Sequence, residues 1–324
     1  MCTAITYKTD NFYMGRNLDY DFEYGQKVLI TPRNFVLHFN HMEDLKEHYG
    51  IIGMGIVENG FPLYFDGVNE KGLAIAGLNF VGNAHYFPVK KNKFNLAQFE
   101  FVPYLLAKCD SVKSVKKILR NINIDDEPFS DKFPPSQLHW LIADKKECLV
   151  VESMKNGLHI YENKTGVLTN NPPFEMQMFN LNNYMHLTSK DPKNTFSSSL
   201  DLKTYSRGMG AMGMPGDLSS SSRFIKCCFT KMNSVSKNDE MNSVTQFLHI
   251  LGSVEQQMGC CEVRKGEYEY TIYSSCMNCD KGIYYYTTYF NHQIRAVNMH
   301  KADLDGSDIY QYDLEDKEMV YYQN

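Results

Sequence analysis

Met1-Cys2-Thr3-Ala4-Ile5-Thr6-Tyr7-Lys8-Thr9-Asp10-Asn11-Phe12-Tyr13-Met14-Gly15-Arg16-Asn17-Leu18-Asp19-Tyr20 opens the chain with two β-type runs, Cys2 to Thr6 and Phe12 to Arg16, broken by the turn pair Asp10-Asn11. Such a hairpin carries Cys2 at the start of one arm. Gly15-Arg16-Asn17-Leu18-Asp19, which ends the other, offers a guanidinium and a carboxylate across from it.

Further along, Lys27 to Thr31, Phe35 to Phe39, Ile51 to Ile56 and Leu73 to Leu78 are apolar or alternating, with Pro32-Arg33-Asn34, Asn59-Gly60 and Asp66-Gly67 as turns. The first eighty residues thus predict an antiparallel sheet. Two helical stretches come after them, one around Ala97 to Cys109 and one from Ser111, an N-cap, through Val112, Val115, Ile118 and Leu119. Strands are expected again at Leu138 to Ala143, Cys148 to Glu152, Leu158 to Tyr161 and Gly166 to Thr169. Helices near Ser222 to Met232 and Ser243 to Leu251 come next, the latter with Val244, Phe247, Leu248 and Leu251 on one face. Tyr268 to Ser274, Gly282 to Tyr289 and Gln293 to Met299 complete the strands. Blocks of strands separated by blocks of helices predict an α+β fold rather than an alternating βαβ one.

The 324 residues carry 33 Lys+Arg against 38 Asp+Glu, a net charge of −5, which argues against a nucleic-acid partner. At 43% hydrophobic and 22% charged the composition is globular, which excludes disorder and collagen-like repeats. No apolar run reaches the ~18 residues of a membrane span, and the opening stretch lacks the marks of a signal peptide. Nine scattered cysteines, an odd number, fit a reducing compartment, so a cytoplasmic location is expected. The length allows two domains, but without a clear linker or repeat one domain over 1–324 is expected. The irregular stretch from Thr188 to Ser222 reads as an excursion that packs on itself or on another subunit.

Cys2 stands apart by position. If Met1 is removed, Cys2 becomes N-terminal, and an α-amine of pKa about 7.7–8.0 sits on the same residue as a thiol of about 8.5. Nucleophile and base are then supplied together. The competing reading is a small buried residue that opens a strand.

Four further segments favour the chemical reading: Asp66-Gly67-Val68-Asn69-Glu70-Lys71-Gly72-Leu73 leading into Ala76-Gly77-Leu78-Asn79-Phe80, then Val167-Leu168-Thr169-Asn170-Asn171-Pro172, Ser221-Ser222-Arg223-Phe224 and Gly282-Ile283-Tyr284-Tyr285-Tyr286. With the opening hairpin, they resemble the choloylglycine hydrolase family, the cysteine branch of the N-terminal nucleophile hydrolases, which includes bile salt hydrolases and penicillin V acylases. The resemblance covers nearly the whole chain. It implies a four-layer αββα sandwich, no cofactor, a homotetramer, and cleavage of glycine- or taurine-conjugated bile salts. By the same resemblance Cys2 is the nucleophile, its freed amine the base, and Asp19 the carboxylate that orients the amine. Arg16 and Arg223 lie beside the thiolate, and Asn79 and Asn170 serve the oxyanion hole and the scissile amide. Asn79, where penicillin V acylases carry tyrosine, favours bile salts over penicillin V or an acyl-homoserine lactone. Leu18, Phe129, Phe133 and Leu138 fall on segments that line the family's steroid pocket, though core packing explains each equally well.

Rival signals are weaker. Cys276-Met277-Asn278-Cys279 has a CxxC spacing, but Cys260-Cys261 is not spaced as a second zinc knuckle and no βαβ context surrounds it, so a zinc or redox protein is the remote alternative. The histidines form no HxH or HxxxH cluster, and no metal site is expected. Gly208-Met209-Gly210-Ala211-Met212-Gly213 matches GxGxxG literally, yet a polar segment precedes it and Pro215-Gly216 breaks the stretch where a helix would have to start, so it reads as loop. Lys90-Lys91-Asn92-Lys93 reads as a solvated loop.

Overall fold

The computed structural model describes all residues, 1–324. The chain begins with β1 (Cys2–Lys8), β2 (Phe12–Tyr20), β3 (Lys27–Thr31), β4 (Ile51–Glu58), β5 (Phe61–Asn69) and β6 (Ala74–Asn79). A short β7 (Phe94–Ala97) leads to α1 (Phe101–Lys108), α2 (Val112–Leu119) and β8 (Ile122–Asp125). Then come β9 (Leu138–Ala143), β10 (Cys148–Met154), β11 (Gly157–Glu162), β12 (Val167–Leu168), α3 (Phe174–Asn180), α4 (Ser220–Asn233) and α5 (Glu240–Gly252). The last strands are β13 (Glu262–Arg264), β14 (Glu267–Tyr268), β15 (Tyr270–Asn278), β16 (Ile283–Thr288), β17 (Asn291–Asn298) and β18 (Tyr310–Asp313).

Two antiparallel sheets dominate, one ordered β12-β1-β2-β15-β16-β17 and the other β11-β10-β9-β6-β5-β4-β3-β18. Their strands read as continuous apolar runs because both faces are covered. In β3, Val28 and Ile30 join one apolar cluster and Leu29 the other. In β9, Leu141 and Ala143 face the six-stranded sheet's cluster, whereas Trp140 and Ile142 pack with Phe101 and Leu105 of α1 and Val115 of α2. Phe224 of α4 and Val244 and Phe247 of α5 belong to the first cluster, with Ile5 and Met14. The layers are therefore α1/α2, eight strands, six strands, and α4/α5: the expected αββα order. No helix is long and apolar enough to cross a membrane.

Sequence periodicity mistook three places. Phe35 to Phe39 is no strand; only an isolated Leu37–Leu45 bridge forms there, and the apolar signal comes from loop side chains buried against α1 and its neighbours. Asp66-Gly67 is no turn but the interior of β5, where the Asp66 carboxylate accepts hydrogen bonds from the Tyr273 and Tyr284 hydroxyls at 2.7 Å each. A polar residue inside a buried strand is tolerated because those phenols satisfy it. The stretch expected to be helical from Ala97 starts only at Phe101, since Ala97 ends β7 and its N–H donates to Glu100.

On β2, close approach requires the glycine at position 15. A Cβ there would collide with the Ser275 carbonyl of the adjacent β15.

Candidate active site

β1 pairs with β2 so that Cys2 faces Leu18 and Ala4 faces Arg16, which brings the Cys2 side chain beside the Arg16 guanidinium. Arg16 Nη2 donates to Cys2 Sγ at 2.5 Å, and its Nη1 donates across the sandwich to the carbonyls of Gly77 at 2.5 Å and Phe65 at 3.3 Å. Both residues are buried, Cys2 at 4% exposure and Arg16 at 1%. Burial opposes the Arg16 charge, yet the fields of Cys2, Tyr273, Asp66 and Asp19 outweigh it, and its pKa moves up.

The main chain of Cys2 is fixed from the other side. Its N–H donates to Asn170 Oδ1 at 2.8 Å, and Asn170 Nδ2 donates to the Asn79 carbonyl at 2.8 Å. Arg223, near the start of α4, donates through Nη1 to the Cys2 carbonyl and Thr3 Oγ1 at 2.6 Å each. Its Nη2 reaches Asn170 Oδ1 at 2.8 Å and its Nε the Leu218 carbonyl at 2.9 Å. Burial pushes this guanidinium down, with Asp19 and Cys2 pulling the other way. Asp19 lies 3.9 Å from Arg223 and accepts from Thr271 Oγ1 at 2.6 Å and Gln256 Nε2 at 3.4 Å. The Met1 ammonium sits at the same end, donating to the Asp19 carbonyl at 2.6 Å and paired with Glu269; burial lowers its pKa.

Beneath the asparagines lies a group that the sequence did not advertise. His139, fully buried, places Nε2 2.8 Å from the Thr169 carbonyl and Nδ1 3.0 Å from Glu152 Oε1. A carbonyl only accepts, so Nε2 carries hydrogen, and one further proton is shared between Nδ1 and Glu152. The ring stacks on Phe80 at 4.3 Å and 5°. His139 thus braces Thr169, which precedes Asn170, and Phe80, which comes directly after Asn79.

Cys2, Arg16, Asp19 and Asn79 form one end of a cavity whose walls include Leu18, Phe129, Phe133 and Leu138, with about 950 Å³ of atom-free space counted to its mouth. All the expected pocket residues therefore line it. Asn170 does not; it stands behind Cys2, with its oxygen on the Cys2 amide and its amide nitrogen on the Asn79 carbonyl. Sequence reasoning missed Tyr20, Tyr24, Ile56 and Phe65 on the wall and Gln256 and Thr271 on Asp19. The alternation of Tyr20, Phe22 and Tyr24, whose rings touch at 4.8–5.5 Å, was the available signal for two of them.

The rival sites come apart. Cys276 lies inside β15 and Cys279 just beyond it, both buried, and burial raises both thiols. No group of three or more His, Cys, Asp or Glu side chains is arranged to hold a metal ion. Gly208 to Gly213 contains only a short 3₁₀ turn, Met209–Ala211, with no strand before it.

A sandwich of two antiparallel sheets between helix layers, with a cysteine at the very start of an inner strand and two buried arginines around it, defines an N-terminal nucleophile hydrolase fold. The penicillin V acylase of Agrobacterium tumefaciens shares this fold, with a TM-score of 0.78 over 99% of this chain and 94% of that one at 16% identity. The model of the linear amide C–N hydrolases, choloylglycine hydrolase family, matches residues 2–312, and the chain belongs to that family. It is 53% identical over 324 residues, all of both chains, to a bile salt hydrolase/transferase of Lactiplantibacillus plantarum. A mutant conjugated bile acid hydrolase of Clostridium perfringens, 35% identical, superposes with a TM-score of 0.91 over the whole of both chains.

Proposed function

We propose that this protein hydrolyses the amide bond of glycine- or taurine-conjugated bile salts, with Cys2 as nucleophile once Met1 has been removed. The observation that carries the reading is Cys2 Sγ on the Arg16 guanidinium at the charged end of a cavity otherwise walled by Leu18, Phe129, Phe133 and Leu138. An amide with an acidic tail suits the first end and a large apolar body the second. The relatives named as bile salt hydrolases support the substrate class.

In this mechanism the Cys2 thiolate, with the Arg16 guanidinium beside it, attacks the amide carbon. The Asn79 side chain, which faces the cavity, donates to the oxyanion that forms. The tetrahedral intermediate collapses to a thioester, and the departing glycine or taurine nitrogen takes a proton from the Cys2 α-ammonium. The neutral amine then removes a proton from water, which attacks the thioester and releases the bile acid and the thiolate. Asn170 holds the Cys2 amine in place through these steps, Asp19 has the amine-orienting role that the family resemblance implies, and Arg223 fixes both Asn170 and the Cys2 carbonyl.

Mass spectrometry of the active enzyme should show the loss of one methionine, and full activity in a chain that retains Met1 overturns the mechanism. Cys2→Ala should abolish turnover with the fold intact. Comparison of kcat/KM for glycocholate, taurocholate, penicillin V and an acyl-homoserine lactone tests the substrate; a strong preference for either of the last two refutes it.

The same reading takes residues 1–324 as one amidohydrolase domain working in the cytoplasm as a homotetramer. Exposed Phe179, Met185, Phe196 and Tyr205 in and before the 188–222 excursion support an assembly surface there. Light scattering should give four times the chain mass, and Phe196→Ser with Tyr205→Ser should reduce it.

A further inference from the structure

We propose that Gln98 is a specificity-determining residue that reads a hydroxyl group on the steroid body of the substrate; this rests on the bile-salt reading and deepens it. Gln98 lies between β7 and α1, 6% exposed, on the cavity wall beside Phe99 and Val102. Its Oε1 is buried without a hydrogen-bond partner. The surroundings are apolar: Phe99 packs on Phe129 at 5.1 Å, and Phe129 on Phe133 at 6.3 Å. Tyr64, another polar group on the wall, is already engaged, its hydroxyl 2.7 Å from Thr31 Oγ1.

An amide carbonyl in such a place is an acceptor awaiting a donor. The terminal torsion of glutamine is broad, so a turn of the unrestrained amide directs the oxygen into the cavity. The donor must come from the ligand. In an apolar compartment it is a neutral O–H, because a cation would be stripped of water with no countercharge. Among bile salts, which share one ring skeleton and differ in its hydroxyls, the member that carries the matching hydroxyl pairs Gln98. The member that lacks it leaves the oxygen orphaned.

The test measures kcat/KM for glycine conjugates that differ from one another by a single ring hydroxyl. In the wild-type enzyme one such pair should differ by about 5- to 30-fold in favour of the hydroxylated member, the scale of one buried hydrogen bond made or lost. Gln98→Met should bring that ratio below about two-fold, with the change in KM and little effect on the poorer substrate. Gln98→Leu provides the same comparison, with thermal melts as a check on folding. A wild-type enzyme indifferent to every ring hydroxyl overturns the proposal, as does a ratio that survives in either folded variant. Absence of turnover on all conjugated bile salts, with the wild type folded and Met1 removed, would instead locate the failure in the functional reading, and the proposal would fall with it.

Discussion

Replacement of His139 by phenylalanine separates the support of the site from its chemistry. The substitution keeps a flat ring of similar size on Phe80, so little cavity forms, but it deletes both hydrogen bonds of the imidazole. The Thr169 carbonyl loses its His139 donor, and Glu152, whose Oε2 is already without a partner, retains only the Phe174 N–H at 3.0 Å. A buried group left unsatisfied costs about 1–3 kcal/mol, and two groups, the Thr169 carbonyl and Glu152, each lose a partner, so a total loss of about 2–6 kcal/mol is expected. Against a typical stability of about 5–15 kcal/mol the variant should still fold.

The kinetic effect arises because Thr169 leads directly into Asn170. Asn170 Oδ1 holds the Cys2 N–H at 2.8 Å, and a shift of about 1 Å in a positioning group can cost about 10²-fold in rate. His139→Phe should therefore lower kcat by about 10- to 100-fold, with KM nearly unchanged because His139 does not line the substrate cavity. Urea unfolding gives the stability and steady-state hydrolysis the rate. A stability loss of the expected size with kcat within two-fold of wild type would refute the link from His139 to the nucleophile. Glu152→Gln, which retains an oxygen for the Phe174 N–H, should show the same pattern at smaller amplitude.

Three other outcomes are expected. Gly15→Ala drives a methyl into the Ser275 carbonyl, so β2 must part from β15 beside Arg16, and activity should fall at least 10-fold with a clear drop in Tm. Arg223→Lys replaces a planar fork that serves Cys2, Thr3, Asn170 and Leu218 with a point charge, and should cost about 10²-fold in kcat while the fold survives. Burial pushes the Glu100 carboxyl up to about 7 from 4.5, opposed by the N–H groups of Asn40 and Ala97. Because folding favours its neutral form, the contribution of Glu100 to stability falls as pH rises from about 4.5 to about 7. A carbon-13 NMR titration of this side chain should find its midpoint near the upper value, and one below pH 5 refutes the argument.

How far the sequence could be read depends on the distance over which each feature is built. The opening hairpin is local: Asp10-Asn11 makes the turn, alternation makes the arms, and Cys2, Arg16 and Asp19 fall on adjacent strands. Asn79, Asn170 and Arg223 arrive from three separate elements, and only the resemblance of their segments to a family gathered them. His139 and Gln256 had no such signal, because a histidine in an apolar strand and a glutamine after a helix look like many others. Their meaning lies in partners 30 and 237 positions away, Thr169 and Asp19. Asp66 was misread for the complementary reason: turn chemistry is inferred from the residue alone, whereas its carboxylate is satisfied by phenols 207 and 218 positions on.

The buried charges at this end of the sandwich gather around the N-terminus. Two buried guanidiniums, Arg16 and Arg223, face two buried carboxylates, Asp19 and Asp66, and the Met1 ammonium is paired with a third buried carboxylate, Glu269. Removal of Met1 would move that ammonium onto Cys2 itself, within the reach of Asn170 and at the end where Asp19 stands. The group in contact with Arg16 Nη2 is the Cys2 sulfur. Burial pushes Asp66 towards its neutral form, with Arg16, Tyr284 and Tyr273 holding it back, and any loss of its charge would leave the Arg16 guanidinium less compensated. Excision of one residue would thus place amine and thiol on a single residue, with Asn170 at its nitrogen and Arg16 at its sulfur.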